Sequence, residues 1–494
     1  MQDLKRSSYG LWIGGKEEPS ADGTTVPMTN PATGEVWAEG AVATPAQVDQ
    51  AVAAAHGALV GPWRKISPQE RSRLLFRYAE AIDAQRAGIA EVESLGAGKV
   101  RSDAEAEVSQ VVDDLTFYAG LADKVGGTTV PVGQRAVAAT YREPVGVCAQ
   151  IVPWNYPFMM AGWKVAPALA AGCTVVLKPA SLTPATAVLL GELAKEAGIP
   201  DGVVNVVAGP GESVGTALIT HPKVRKVTFT GATETGKVVM TRAAAGLKRV
   251  SLELGGKSPS IVFADADLEA AAAGSVFGIF YSAGQSCDAR SRLLIEQSVY
   301  QDFLSLFVAK AKTLRQGDPL LPTTQIGPLI SAGHRQKVHA CVTGGVEEGA
   351  RLVLGGSFPV SGVAEGGFFY PPTVLADVTE EMGVFHEEIF GPVVVASPFS
   401  DEPEAIHLAN AVDYGLVATI WSENGGRAQR VAQALECGLI GINTPMTAGP
   451  GLPFGGYKAS GFGRELGASA LELYTEEKCV VTRTTERPIN PFRV

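Results

Sequence analysis

From residue 145 onward the chain alternates short β-branched runs with Ala/Leu-rich stretches of helical length, and this alternation restricts the fold more than any other feature. The runs are "VGVCAQIVP", "CTVVLKP", "VVNVVAG", "KVTFTG" and "RVSLELGG"; between them lie segments such as "PATAVLLGELAKEAG" and "ATETGKVVMTRAAAG". Apolar runs of this kind suit strands covered on both faces, so the pattern predicts βαβ units around a parallel sheet. Such sheets bind ligands beyond the carboxyl ends of their strands. The turns after these strands are therefore where chemistry is expected.

A second α/β stretch runs from "SPSIVFADADLEAAAAG" to about residue 460. Ahead of both blocks, "TPAQVDQAVAAAHGAL" opens with Thr44 as an N-cap, and "PQERSRLLFRYAEAIDAQRAGIAEVESLGAGK" carries helical spacing with a glycine stop. Two pieces fit neither block: "GGTTVPVGQRAVAATYRE" and the tail "YTEEKCVVTRTTERPINPFRV". Each alternates like an edge strand, and exposed edges need covering. They are expected to form a small added sheet at an oligomer contact. With 494 residues there is room for two or three domains with large cores.

Composition narrows the function classes. The net charge of −10, without a long basic run, leaves no nucleic-acid footprint. The six cysteines, Cys148, Cys173, Cys287, Cys341, Cys437 and Cys479, form no CxxC pair. This argues for reduced thiols in a cytoplasm-like compartment and against a zinc or other metal site. No apolar h-region opens the sequence, so no secretory signal is expected. The most apolar stretch, "APALAAGCTVVL", is too short to span a membrane and has lysines on both sides. A soluble, cytoplasmic protein is expected.

The strand ends carry the candidate chemistry. "QIVPWNYP" closes the first run with Asn155 between Pro153 and Pro157. A fixed amide beside a nucleophile stabilises a developing oxyanion, an effect of roughly 3–4 kcal/mol for one donor; alone, the motif also reads as a turn asparagine. "VVLKPAS" ends the second run with Lys178, a cation in reach of a ribose or phosphate. "VTFTGATETG" passes through Gly231 into a helix start that offers N–H groups to an anion, or is simply a loop and helix start. "SLELGGKSPS" places Glu253 at a glycine-rich strand end, as a general base or as a surface carboxylate. "YSAGQSCDARSRLLIE" sets Cys287 at a Gly-Gln-Ser corner. A nucleophilic thiol needs a base or a helix N-terminus nearby, whereas a buried structural cysteine needs neither. "FHEEIFGPVV" adds Glu387, Glu388 and Phe390, a carboxylate for ribose hydroxyls and a ring for a flat heterocycle, or a loop that merely packs.

Taken jointly, "PWNYP", "LELGGKSP", "GQSC", "EEIFGP" and "PFGGYKASGFGRELG" make the chain resemble the non-acylating, NAD(P)-dependent aldehyde dehydrogenases. The resemblance runs from "NPATGEV" to "YTEEKCVV", nearly the whole length. It implies an α/β, aldehyde dehydrogenase-like fold of two α/β domains, one of them Rossmann-like, plus a small oligomerisation β-sheet. The NAD(P)-binding domain would comprise 1–122 and 146–255, the catalytic domain 256–465, and the oligomerisation strands 123–145 and 466–494. A homodimer or homotetramer is expected, with no nucleic-acid or membrane partner.

The same resemblance implies roles. Cys287 attacks an aldehyde carbonyl, the Asn155 amide and the Cys287 backbone N–H bind the oxyanion, and Glu253 activates the water that hydrolyses the resulting thioester. The cofactor, NAD or NADP, would meet Trp154, Lys178, Ser181, Gly231, Ala232, Leu254, Glu388 and Phe390. Lys178 and Ser181 match positions beside the adenosine ribose. NAD-preferring members often have glutamate where Ser181 stands, so serine permits a 2′-phosphate. Ala232 replaces a serine that commonly touches the pyrophosphate. Glu388 would hold the nicotinamide ribose and Phe390 pack near the nicotinamide. The substrate tunnel would be lined by Met159, Trp163, Ser286, Asp288 and Phe454, with Met446 near its mouth. That mixture suits aliphatic or aromatic aldehydes, while Asp288 and Glu107 favour a cationic amino-aldehyde or betaine aldehyde. Arg290 and Arg292 have no assignable place from sequence. Three rivals remain open: a CoA-acylating relative (which would generally lack Glu253), an idle scaffold on this fold, and a cysteine hydrolase.

Overall fold

The structure, a computed structural model, describes residues 4–485 except 359, 361 and 446–448. Met446 and the end of the tail therefore lie outside the described residues. A first sheet contains five parallel strands in the order Arg249–Glu253, Val224–Thr230, Val147–Ile151, Thr174–Lys178, Val204–Val206. Leu11–Ile13 and Lys16–Glu18 extend it antiparallel at one side. Strands Val147–Ile151 and Thr174–Lys178 are buried at every position, which explains why their sequences do not alternate.

Chain order fixes where a ligand can bind. The path leaves Val147–Ile151 outward through Thr174–Lys178 and Val204–Val206, then returns to the other side as Val224–Thr230 and Arg249–Glu253. The reversal opens a crevice at the carboxyl ends of Val147–Ile151 and Val224–Thr230. Asn155 and Gly231 follow those two strands.

A second sheet holds six parallel strands in the order Thr373–Ala376, Val393–Phe399, Arg292–Glu296, Pro259–Val262, Val417–Trp421, Leu439–Ile442, with Arg351–Leu354 antiparallel at its edge. Its packed core is separate from those around the first sheet. After this sheet the chain crosses back, and Gly461–Phe462 pairs antiparallel with Leu252 and Glu253 at the edge of the first. A strand of two residues leaves no periodicity to read, so this return is invisible in the sequence.

The two alternating pieces pair with each other. Thr475–Arg483 lies antiparallel to Ala136–Pro144 along nine residues, with Thr129–Val130 on the far side. Thr44 caps helix Pro45–Val60 in a capping box with Gln47. The long helical stretch after it is two helices, Pro68–Ala84 and Arg86–Ala97, broken at Gln85 and stopped at Gly98 in the left-handed conformation (φ 70°). The break is unmarked by glycine or proline.

Candidate active site

The corner that carries Cys287 is built by backbone strain. Helix Leu268–Phe280 ends, and Ser282, Ala283 and Gly284 follow with φ of 52°, 55° and 70°. Left-handed backbone is uncommon outside glycine and marks an over-determined turn. The Gln285 side chain locks it, donating to the Pro328 carbonyl at 3.3 Å and accepting from the Ile330 N–H at 2.9 Å. Cys287 emerges half-buried.

Asn155 is tied to this corner. Its Nδ2 donates to the Gln285 carbonyl at 2.8 Å, which leaves the second amide N–H for a ligand. Glu253 is 2% exposed, and neither carboxyl oxygen has a conventional hydrogen-bond partner. What it does interact with is the Cys287 thiol, while the buried Lys164–Glu465 ion pair lies behind it. Burial, opposed chiefly by Lys164, pushes Glu253 up to about 8. The Cys287 thiol is raised well above its ordinary value by burial first, and further by the carboxyl groups of Glu253 and Asp288 when these are charged. The resting sulfur is a protonated thiol beside an unsatisfied carboxyl.

Two cavities meet at that sulfur. One, of about 390 Å³, is walled by Met159, Trp163, Ser286, Asp288 and Phe454 together with Glu107. The other, of about 170 Å³, is walled by Trp154, Gly231, Ala232, Leu254, Glu388 and Phe390. Tyr156, Met160 and Cys287 belong to both. A sulfur at the junction of two binding spaces can react with a molecule in one while a second molecule lies in the other.

The comparisons agree with this geometry. The model of the aldehyde dehydrogenase family matches residues 18–480. The chain belongs to the aldehyde dehydrogenase family. It is 44% identical to the betaine aldehyde dehydrogenase of Bacillus subtilis, over 90% of this chain and 91% of that one. It is 42% identical to retinal dehydrogenase 2 of Mus musculus, over 97% and 92% respectively. The NAD+ complex of an aldehyde dehydrogenase from Bacillus cereus superposes with a TM-score of 0.95, at 40% identity and covering 98% of each chain. As a member of this family the protein is an aldehyde-oxidising enzyme.

The smaller cavity has what a dinucleotide needs in an aldehyde dehydrogenase. Helix Thr233–Ala244 begins after Ala232 without a side-chain cap, so its first N–H groups can receive an anion. Trp154 and Phe390 meet edge to face with centroids 5.5 Å apart. The Glu388 Oε1 accepts from the Gly256 N–H at 2.9 Å, and a Cβ on Gly255 would stand 2.2 Å from the other oxygen. Burial pushes Glu388 up to about 7. Lys178, buried, donates to the Pro179 carbonyl at 3.0 Å, and desolvation brings it down to about 8. Lys178 and the half-buried Ser181 sit at and after the end of Thr174–Lys178, outside both cavities.

Two of the three carboxyl groups on the wall of the larger cavity, Glu107 and Asp288, are paired; the third, Asp103, has no ion pair among the described residues, and burial pushes it up to about 6. Lys99 Nζ donates to Glu107 at 2.6 and 2.7 Å and lies 3.7 Å over the Tyr156 ring. Arg290 NH1 donates to Asp288 Oδ2 at 2.9 Å. Arg290 thus lines this cavity with its charge engaged, whereas Arg292 is fully buried and donates to the carbonyls of Lys257, Leu408 and Ala409.

Sequence reasoning passed over Tyr156, Met160, His334 and Lys337. Tyr156 lies inside "PWNYP", next to Asn155, and was legible there. His334 and Lys337 were not: "SAGHRQKVHA" reads as an ordinary helix start, with Ser331 capping helix Ala332–Glu347. His334 Nε2 pairs with the Phe390 carbonyl at 2.7 Å, and its ring meets Trp154 at 5.5 Å. That contact bridges distant segments and has no local signature.

Proposed function

We propose that the protein oxidises an uncharged aldehyde to the free carboxylic acid with NAD, through a thioester on Cys287. The observation that carries this reading is the position of the Cys287 sulfur where an apolar cavity meets one fitted to a dinucleotide, with Asn155 and Glu253 beside it. Glu253 takes the thiol proton as the sulfur bonds to the carbonyl carbon. The free Asn155 N–H and the Cys287 backbone N–H, which has no acceptor among the described residues, then hold the oxyanion. The nicotinamide, when bound, supplies a hydride acceptor. Once Glu253 has released the thiol proton to solvent, it removes a proton from water, whose oxygen adds to the thioester carbonyl; the acid leaves and the Cys287 thiolate takes a proton back.

Trp154, Leu254, Glu388 and Phe390 would hold the ring-and-ribose end of the cofactor, and Gly231, Ala232 and the following helix start its pyrophosphate. Lys178 and Ser181 would serve the adenosine ribose. NAD is supported by the complex of the Bacillus cereus relative. A serine at 181 imposes no repulsion on a 2′-phosphate, so NADP is accepted as well. The domain assignment follows: 1–122 and 146–255 for cofactor, 256–465 for catalysis, and 123–145 with 466–494 for contact between copies in a dimer or tetramer. Strand Thr475–Arg483 supports this last point, being exposed from its second residue onward, with Val481 63% exposed. The free cysteines support a reducing, cytoplasmic location, and no helix among the described residues is long and apolar enough to cross a membrane.

Relatives are named for betaine aldehyde and for retinal. In this chain two of the three carboxyl groups on the cavity wall, Glu107 and Asp288, are already paired with cations. An uncharged aliphatic or aromatic aldehyde is therefore expected to give a higher kcat/KM than an ammonium aldehyde of equal length. Reduced-cofactor absorbance with NAD and NADP, across aliphatic, aromatic, amino- and semialdehydes, tests both points. A preference for the ammonium aldehydes would refute the uncharged class, and no reduced cofactor with any aldehyde would refute the function. Replacing Asn155 with alanine is expected to lower kcat by about 10²–10³-fold. Cofactor affinity, read by tryptophan fluorescence, should change little.

A further inference from the structure

Asp288 directly follows the nucleophile, and its carboxylate is held from two sides. Oδ1 accepts from Ser286 Oγ, which itself accepts from the Tyr156 hydroxyl at 2.9 Å. Oδ2 accepts from Arg290 NH1 at 2.9 Å. Arg290 is fixed in turn: NH2 donates to the Pro445 carbonyl at 2.7 Å and Nε to Thr419 Oγ1 at 3.2 Å. The side chains are only 5% (Arg290) and 24% (Asp288) exposed. A network, not solvent, decides where this charge sits.

Asp288 and Arg290 share the wall of the larger cavity with Cys287, and Glu253, Glu388, His334 and Lys337 share that of the smaller one. Of these, Glu253, Asp288 and Glu388 act most strongly on the sulfur, each opposing its ionisation when charged. Glu253 and Glu388 already have tasks as base and as cofactor ligand. Asp288 has no comparable task, and with Arg290 bound to it, it is poorly placed to receive a substrate cation.

We propose that Asp288 is a positioning residue that sets the reactivity of Cys287: its fixed anion makes the resting sulfur a guarded nucleophile, slow towards stray electrophiles, and Ser286 and Arg290 hold it at that post. A like charge in a site of low dielectric opposes formation of the thiolate. The guard is released in catalysis because the proton leaves to Glu253 while the developing charge passes to an oxygen held by Asn155, away from the sulfur. This inference rests on Cys287 being the nucleophile.

The test is alkylation of Cys287 by uncharged iodoacetamide in the purified full-length protein, followed on its own peptide so that the five other cysteines do not contribute. Asp288→Asn keeps the shape and removes the charge. It is expected to move the midpoint of the alkylation–pH profile to lower pH, by about one unit, giving about tenfold faster alkylation at neutral pH. Arg290→Met, which leaves the carboxylate uncompensated, is expected to alkylate more slowly. A purely structural role would move both rates the same way and leave the midpoint in place. An unchanged or more alkaline midpoint in Asp288→Asn overturns the proposal, and that variant decides alone should Arg290→Met fail to fold. Alkylation needs no aldehyde turnover. Failure here with intact aldehyde oxidation would thus remove only the guard, and the expected shifts without any aldehyde oxidation would remove only the functional reading.

Discussion

Replacing Cys287 with serine is expected to abolish aldehyde oxidation, with kcat falling by about 10³-fold or more, while cofactor binding stays close to that of the parent enzyme. The size of the loss follows from what the sulfur does. A free aldehyde has no ready way to expel hydride, and covalent capture creates the tetrahedral carbon that has one. Serine keeps the volume and the polar contact but puts a far less acidic hydroxyl where burial and neighbouring carboxyl groups already oppose ionisation even of a thiol. Removing one member of a cooperating set costs most of what the set provides. Binding should survive because the walls of the smaller cavity come from Trp154, Gly231, Leu254, Glu388 and Phe390, which the change does not touch. The measurement is reduced-cofactor formation beside a cofactor titration by tryptophan fluorescence. A serine variant with equal turnover would refute the nucleophile assignment.

How much of this was readable in the chain depends on whether the cause is local. The parallel strands were legible because burial on both faces leaves an uninterrupted β-branched run, as in Thr174–Lys178. Their carboxyl ends were legible as a site for the same reason, since Asn155, Gly231 and Glu253 each follow or close such a run. The cysteine corner was visible only through Gly284; that Ser282 and Ala283 would also take left-handed backbone has no local cause. It depends on Gln285 reaching Pro328 and Ile330. Glu107 and Asp288 could be named as acids but not as paired acids. For Glu107 the partner Lys99 lies two turns of chain away, and only the fold brings the two over the Tyr156 ring. The return of Gly461–Phe462 to the first sheet and the clasp of His334 on Phe390 arise wholly from tertiary contacts.

Replacing Glu253 with glutamine should separate formation of the thioester from its hydrolysis. Removal of a positioned carboxylate base is expected to lower steady-state turnover by about 10²–10⁴-fold. A first burst of reduced cofactor should keep its amplitude, near one equivalent per site, because the acyl group accumulates on Cys287, but should rise more slowly, because Glu253 also takes the thiol proton. The pH dependence carries the assignment. With Glu253 pushed up to about 8 by burial, its acid form predominates at neutral pH and the base form grows as pH rises. Turnover limited by hydrolysis should therefore climb through that region and level off above it. Glu388, pushed up to about 7, titrates close enough to imitate part of this limb, so the parent profile alone does not identify the base. The glutamine variant does, since only loss of Glu253 should flatten the rise near pH 8 while leaving any contribution from Glu388 in place. Steady-state rates and burst amplitudes across that range make the measurement. Unimpaired turnover in the variant, with coenzyme A consumed, would instead mean that the thioester passes to a thiol acceptor and that the buried carboxylate is not the base.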